Sequence, residues 1–140
     1  MMPASVAAIV CAAGLAAGAA ATAPSLDGTA TCERRMATGR VVCELELETP
    51  EGRLPWADVT VTAAPPFARP LRSRVALAEA RARTERRVRL PVAFVATAPG
   101  RGTASFRARA VVCLPESGGE QCRQVTRELV AELVVGPDAS

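Results

Sequence analysis

The 140-residue chain has no histidine, no tyrosine and no lysine; all 17 of its basic residues are arginine, and aromatics make up only 3%. The missing histidine removes the commonest general base and the commonest metal ligand. Ser-His and Cys-His nucleophile pairs are therefore excluded. No glycine-rich phosphate loop or convincing acidic pair takes their place, so the expectation is a non-enzyme without a cofactor. The missing lysine follows from the base composition of an Ala/Arg-rich chain and carries no functional information. With so few aromatics, Trp56 and Phe67 are expected mainly in the core rather than on a binding platform.

Charge is absent from one end. The first 26 residues carry no charged side chain, and residues 6–23 read "VAAIVCAAGLAAGAAATA". An apolar run ending in small residues has the form of an export signal with cleavage after Ala20 or Ala21. An uncleaved anchor is the alternative, but a run of Ala and Gly makes a poor membrane helix. The expected organisation is a signal over 1–21, a flexible N-terminus over 22–28, a single domain over 29–136 and a frayed tail over 137–140. No further segment is apolar enough to span a membrane, so no span is expected after cleavage.

Cysteine is scarce but informative. Cys11 would leave with the signal, and Cys32, Cys43, Cys113 and Cys122 would remain. An even number in an exported chain points to two disulfides in the periplasm or outside the cell.

The rest of the chain alternates. In "RVVCELELET", Val41, Cys43, Leu45 and Leu47 face one way and Glu44, Glu46 and Glu48 the other, as in a half-buried antiparallel strand. "GTATCERR" can pair with it through the turn "MATG". "DVTVT" alternates and is stopped by "AAPPFARP". "RRVRLPVAFVATA" places Val88, Leu90, Val92, Phe94 and Ala96 on one face, with Pro91 suggesting an edge strand or bulge. "TASFRARAVVCL" and "QCRQVTRELVAELVV" complete the set. The stretch 71–86, "LRSRVALAEARARTER", fits a helix or a strand; its β neighbours favour a strand. The fold class expected is all-β, an immunoglobulin-like antiparallel sandwich of about seven strands.

Opposing Cys113 to Cys122 tests the last hairpin. Positions then sum to 235, so Phe106 meets Leu129, Ala110 meets Val125, Arg107 meets Glu128 and Arg109 meets Thr126. Apolar meets apolar and opposite charges meet, which supports the register without using the cysteines. Pro115 cannot donate to a ladder, so the loop is expected to be "PESGGE", with Gly118 and Gly119 at positive φ. Cys113 falls on the face of Arg107 and Arg109, which would leave its disulfide near solvent, whereas Cys32–Cys43 would be buried. A second pairing, Cys43–Cys113 with Cys32–Cys122, has the immunoglobulin spacing around Trp56. The hairpin pairings Cys32–Cys43 and Cys113–Cys122 are favoured. Zinc is not expected, since neither pair has the spacing of a structural site.

"FRARAVVCLPESGGEQCRQVTRELVAELVV" resembles the end of the immunoglobulin-like periplasmic N-terminal domain of DsbD-type thiol–disulfide interchange proteins. That resemblance implies that Cys113 and Cys122 would be an electron-carrying pair exchanging with a membrane partner. The residues themselves favour a structural staple, because persistent disulfides are the default in exported domains.

One charged run stands out. Arg81, Arg83, Arg86, Arg87 and Arg89 could form a patch for an anionic partner, or a solvated face interrupted by Glu79 and Glu85. The solvated face is favoured, as it is for Glu44, Glu46 and Glu48, which cannot converge on one cation. A net charge of +3 is too modest for a nucleic-acid binder. The sequence thus points to an exported, disulfide-stapled, non-catalytic binding or structural module whose partner is an unidentified protein or envelope component. Thiol–disulfide exchange through Cys113 and Cys122 is the alternative.

Overall fold

Alternation becomes two antiparallel sheets in the computed structural model, which describes residues 23–137. The strands are β1 (Asp27–Cys32), β2 (Gly39–Glu48), β3 (Arg53–Ala63), β4 (Ala68–Pro70), β5 (Arg74–Ala76), β6 (Ala82–Arg83), β7 (Arg87–Ala96), β8 (Gly100–Glu116) and β9 (Gly119–Val135). One sheet has the order β1-β2-β7-β4 with β6 also on β7; the other is β5-β3-β8-β9. The chain positions of the long strands follow the immunoglobulin plan, with one sheet built as A-B-E and the other as C-F-G. The expected signal segment lies outside the described residues. Leu26 is buried and β1 begins at Asp27, so the sandwich starts ahead of residue 29.

The core is the meeting of the two inner faces. Val41, Cys43, Leu45 and Leu47 of β2 and Val88, Leu90, Val92 and Phe94 of β7 are fully buried, as their period of two dictates. Phe94 meets Phe106 of the opposite sheet edge-to-face at 6.1 Å.

The segment 71–86 is neither one strand nor an α-helix. It pairs with β3 through β5, makes a single 3-10 turn at Leu77–Glu79, and returns to β7 through β6. Its good helix formers are overridden because its backbone partners lie in two different sheets: Val61 donates to Ser73 O and Arg81 to Arg89 O. Together with β4, which the prolines of "AAPPFARP" conceal, this raises about seven expected strands to nine.

Strand prolines sit where a neighbour is missing. Pro91 is not on an edge strand, because β7 lies between β2 and the β4/β6 pair. Ala93 O and Arg89 O both accept bonds from the β4/β6 side, so the nitrogen of Pro91 faces that side too, in the gap between Pro70 and Ala82. Pro115 follows the same rule. It stays in β8 opposite Glu120, beyond Cys113, where pairing with β3 has begun to end. The expected six-residue loop therefore tightens to Ser117–Gly118, closed by Glu116 and Gly119, with Gly118 and Gly119 at φ of 93° and 147°.

Candidate functional site

The β8–β9 register holds from Gly100↔Val135 to Glu116↔Gly119 and contains all four pairs expected from a sum of 235. Disulfides join Cys113 to Cys122 and Cys32 to Cys43. The immunoglobulin-type alternative fails on geometry, since Cys43 faces the core from one sheet and Cys113 faces outward from the other.

The Cys32–Cys43 bond is buried, as expected. Cys113 departs from expectation: it lies on the outward face with Arg107 and Arg109 but is only 1% exposed, while Cys122 is exposed. Its cover comes from elsewhere in the chain. Arg53 is the register partner of Cys113 on β3, and its guanidinium reaches across β8 to Glu120, with Nε 2.8 Å from Oε2. Gly52, at φ +75°, passes so close that a Cβ there would sit 2.0 Å from the Cys113 carbonyl oxygen.

A carboxylate lies beside the exposed sulfur. Glu120 Oε1 is 3.8 Å from Cys122 Sγ, and hydrogen bonding to Arg53 holds the Glu120 carboxyl below its ordinary range, so it stays ionised. A negative charge at that distance disfavours a thiolate, the species that exchange chemistry needs. Cys113, Glu120 and Cys122 place their ligand atoms within 4.8 Å of one another, but with the sulfurs bonded to each other no thiolate pair is on offer to a metal.

The arginine run and the glutamate stripe, separate in the sequence, meet across β2 and β7. Arg81 pairs with Glu44 at 3.1 Å, Arg87 with Glu46 at 3.2 Å and Glu48 at 3.1 Å, and Arg89 with Glu46 at 3.5 Å. Arg83 and Arg86 turn instead to the carbonyls of Pro55 and Pro50. Three of the five arginines thus form a charge-matched face of the first sheet, and the other two bind backbone at its flank.

Trp56 is the clearest correction. It is half-buried on the outer face of the second sheet, under the Arg109 guanidinium at 5.6 Å, and takes no place in the core. The register shifts by one residue between Arg53 and Trp56, a bulge in β3. The extra residue keeps Leu54 inward and turns Trp56 out. Phe67 is partly buried against the core. Beside Trp56 lies a cluster not anticipated from the sequence. Asp58, with no exposed surface, accepts from Arg109 Nε at 2.9 Å and Arg74 Nε at 2.7 Å, tying β3, β5 and β8 together. Burial pushes its carboxyl upward, but the hydrogen bonds from Arg109 and Arg74 outweigh that and leave it below the usual range. The signal was available: Asp58 alternates with Val59 in "DVTVT", which places it on the polar face.

No known family matches the chain, and no curated protein matches it. Among solved structures, AggA, the major subunit of aggregative adherence fimbriae type I from Escherichia coli, aligns with 12% identity and a TM-score of 0.39, covering 79% of this chain and 95% of that one.

Proposed function

We propose that the protein is an exported, non-catalytic binding or structural module whose sandwich is held by two disulfide staples. One observation carries the reading: each sheet has its own disulfide, and the two lie at opposite ends of the fold. Cys32–Cys43 flanks the β1–β2 connection, whose Arg35 bonds to Val134 and Gly136 at the end of β9, while Cys113–Cys122 flanks the other end of that strand. Staples so placed resist fraying from both ends, which suits a domain working outside the cell.

The open side of β9 supports the binding half of the proposal. Val134 O and Gly136 N bond outward to Arg35, so by alternation the N–H and C=O groups of Glu120, Cys122, Gln124, Thr126 and Glu128 also point away from β8. Among the described residues no strand pairs with them, and a partner chain could add there by main-chain pairing.

The test is mass-spectrometric mapping of the protein recovered from the cell envelope, before and after equilibration in a glutathione buffer. Two intact hairpin disulfides that both resist reduction support the staple reading. Selective opening of Cys113–Cys122 would overturn it in favour of exchange, and free thiols in the recovered protein would overturn export into an oxidising compartment.

A further inference from the structure

The interruption between β4 and β6 leaves a cleft of about 250 Å³ beside β7. The chain leaves β7 after Leu71, crosses to β3, and returns at Arg81, so the outer edge of β7 is bare only at Pro91. Pro91 has no N–H, which makes the gap cheap in hydrogen bonds and also makes it a poor seat for an added strand. Val42, Leu71, Pro91, Ala93 and, from the opposite sheet, Val75 give the cleft its apolar lining. Leu71 is 53% exposed, so apolar surface there is left for an occupant to cover.

The rim is cationic. Arg40, Arg72 and Arg81 line the cleft against one carboxylate, Glu79, an excess of two positive charges (three minus one). Arg72 is engaged by Glu79 and Arg81 by Glu44. Arg40 pairs with no carboxylate among the described residues, and neither does Arg69, its counterpart across the sheet. Both stand opposite Val95, so Arg40, Val95 and Arg69 form one row over β2, β7 and β4, with the arginine backbones about 10 Å apart at ordinary strand spacing. The unpaired guanidinium of Arg40, beside the apolar side chains of Val42, Leu71, Pro91 and Ala93, matches a carboxylate carrying an apolar tail.

We infer that this cleft binds a small organic acid, with its carboxylate held by Arg40 and its aliphatic tail laid over Ala93 toward Val75. The volume lies just under the roughly 300 Å³ at which drug-sized sites begin, which limits the tail to a short or medium chain. The inference goes beyond the module reading and does not depend on what the disulfides do.

Titration of the oxidised protein with octanoate, octanol and acetate, followed by calorimetry and by amide and methyl chemical shifts, tests it. Octanoate should saturate one site with shifts centred on Val42, Leu71, Val75 and Ala93. Octanol, lacking the charge, and acetate, lacking the tail, should each bind at least about tenfold more weakly. Arg40→Gln, a change at an exposed position, should weaken octanoate about tenfold and leave octanol unaffected, as for loss of a charge-assisted bond. Ala93→Leu should fill the trough and abolish octanoate binding. Octanoate shifts scattered over the surface, equal affinity for octanol and octanoate, or unchanged octanoate binding by the Arg40→Gln protein would each overturn the assignment.

Discussion

Arg53 and Glu120 close a two-pronged ion pair across β8, over the face that carries Cys113. The pair shields one sulfur and sets a negative charge beside the other. Removing Glu120 should therefore act on the disulfide twice, by uncovering Cys113 and by lifting the repulsion that an incoming thiolate meets at Cys122. A unit charge about 4 Å away is worth about fivefold in rate even in water. The Glu120→Ala protein should lose Cys113–Cys122 to dithiothreitol about fivefold faster than the parent, with Cys32–Cys43 unchanged, as read by timed alkylation and mass spectrometry. Equal rates would show that neither cover nor charge governs access.

Asp58 makes the stability of the second sheet depend on acid. Its folded carboxyl lies below the ordinary value, so the unfolded chain takes up a proton first as pH falls. Its contribution is therefore fully present above the unfolded value near 4 and disappears as pH drops through the lower folded one. Asp58→Asn should cost about 2 kcal/mol at pH 7, since two guanidiniums lose a buried partner but both can turn to solvent. Urea unfolding at pH 7 and again near pH 2 should show that difference shrinking toward zero in acid. A difference independent of pH would mean that Asp58 acts by packing alone.

Sequence periodicity carried a good part of this fold, for a physical reason. β2, β7 and the β8–β9 hairpin each bury one face, and every second residue reports it; the Arg107–Glu128 pair, 2.7 Å apart, was legible from register alone. What escaped reading depends on partners distant in sequence. The segment 71–86 takes its backbone bonds from β3 and β7 in turn, so no local preference could fix it. Trp56 was assigned to the core because the chain has so few aromatics, and the bulge between Arg53 and Trp56, a property of pairing with β8, turns it out. Cys113 was placed on the correct face and misjudged in burial, because its cover is Arg53 and Glu120, 60 positions before it and 7 after it.

Gly52 should be intolerant of any side chain. Its φ of +75° is strained for other residues, and a Cβ would meet the Cys113 carbonyl oxygen at 2.0 Å. Gly39 has a positive φ of 122° but nothing within 4 Å of its Cβ position, which makes it the matched control for backbone strain. Gly52→Ala should lower stability by at least about 2 kcal/mol more than Gly39→Ala, a gap of roughly 8 °C in midpoint for a domain of this size. Calorimetry on the two variants decides it. Similar losses would mean that β3 can shift away from Cys113 without cost.

The two disulfides should be separable by where they lie, because chain entropy barely distinguishes them. They join cysteines 11 and 9 positions apart, and loop closure alone assigns each about 2.7 kcal/mol. Cys43 is fully buried and Cys32 nearly so, whereas Cys122 lies in solvent at the hairpin tip. Replacing Cys32 and Cys43 by alanine adds a core cavity to the lost cross-link and should cost about 1 kcal/mol more than replacing Cys113 and Cys122. Urea unfolding of the two double variants measures the difference. Amide exchange should separate them further: opening the tip should release residues near the turn while the core strands stay protected, because pairing with β3 begins only at Cys113. If the tip variant proves the less stable, the hairpin end is tied to the core by contacts beyond Arg53 and Glu120.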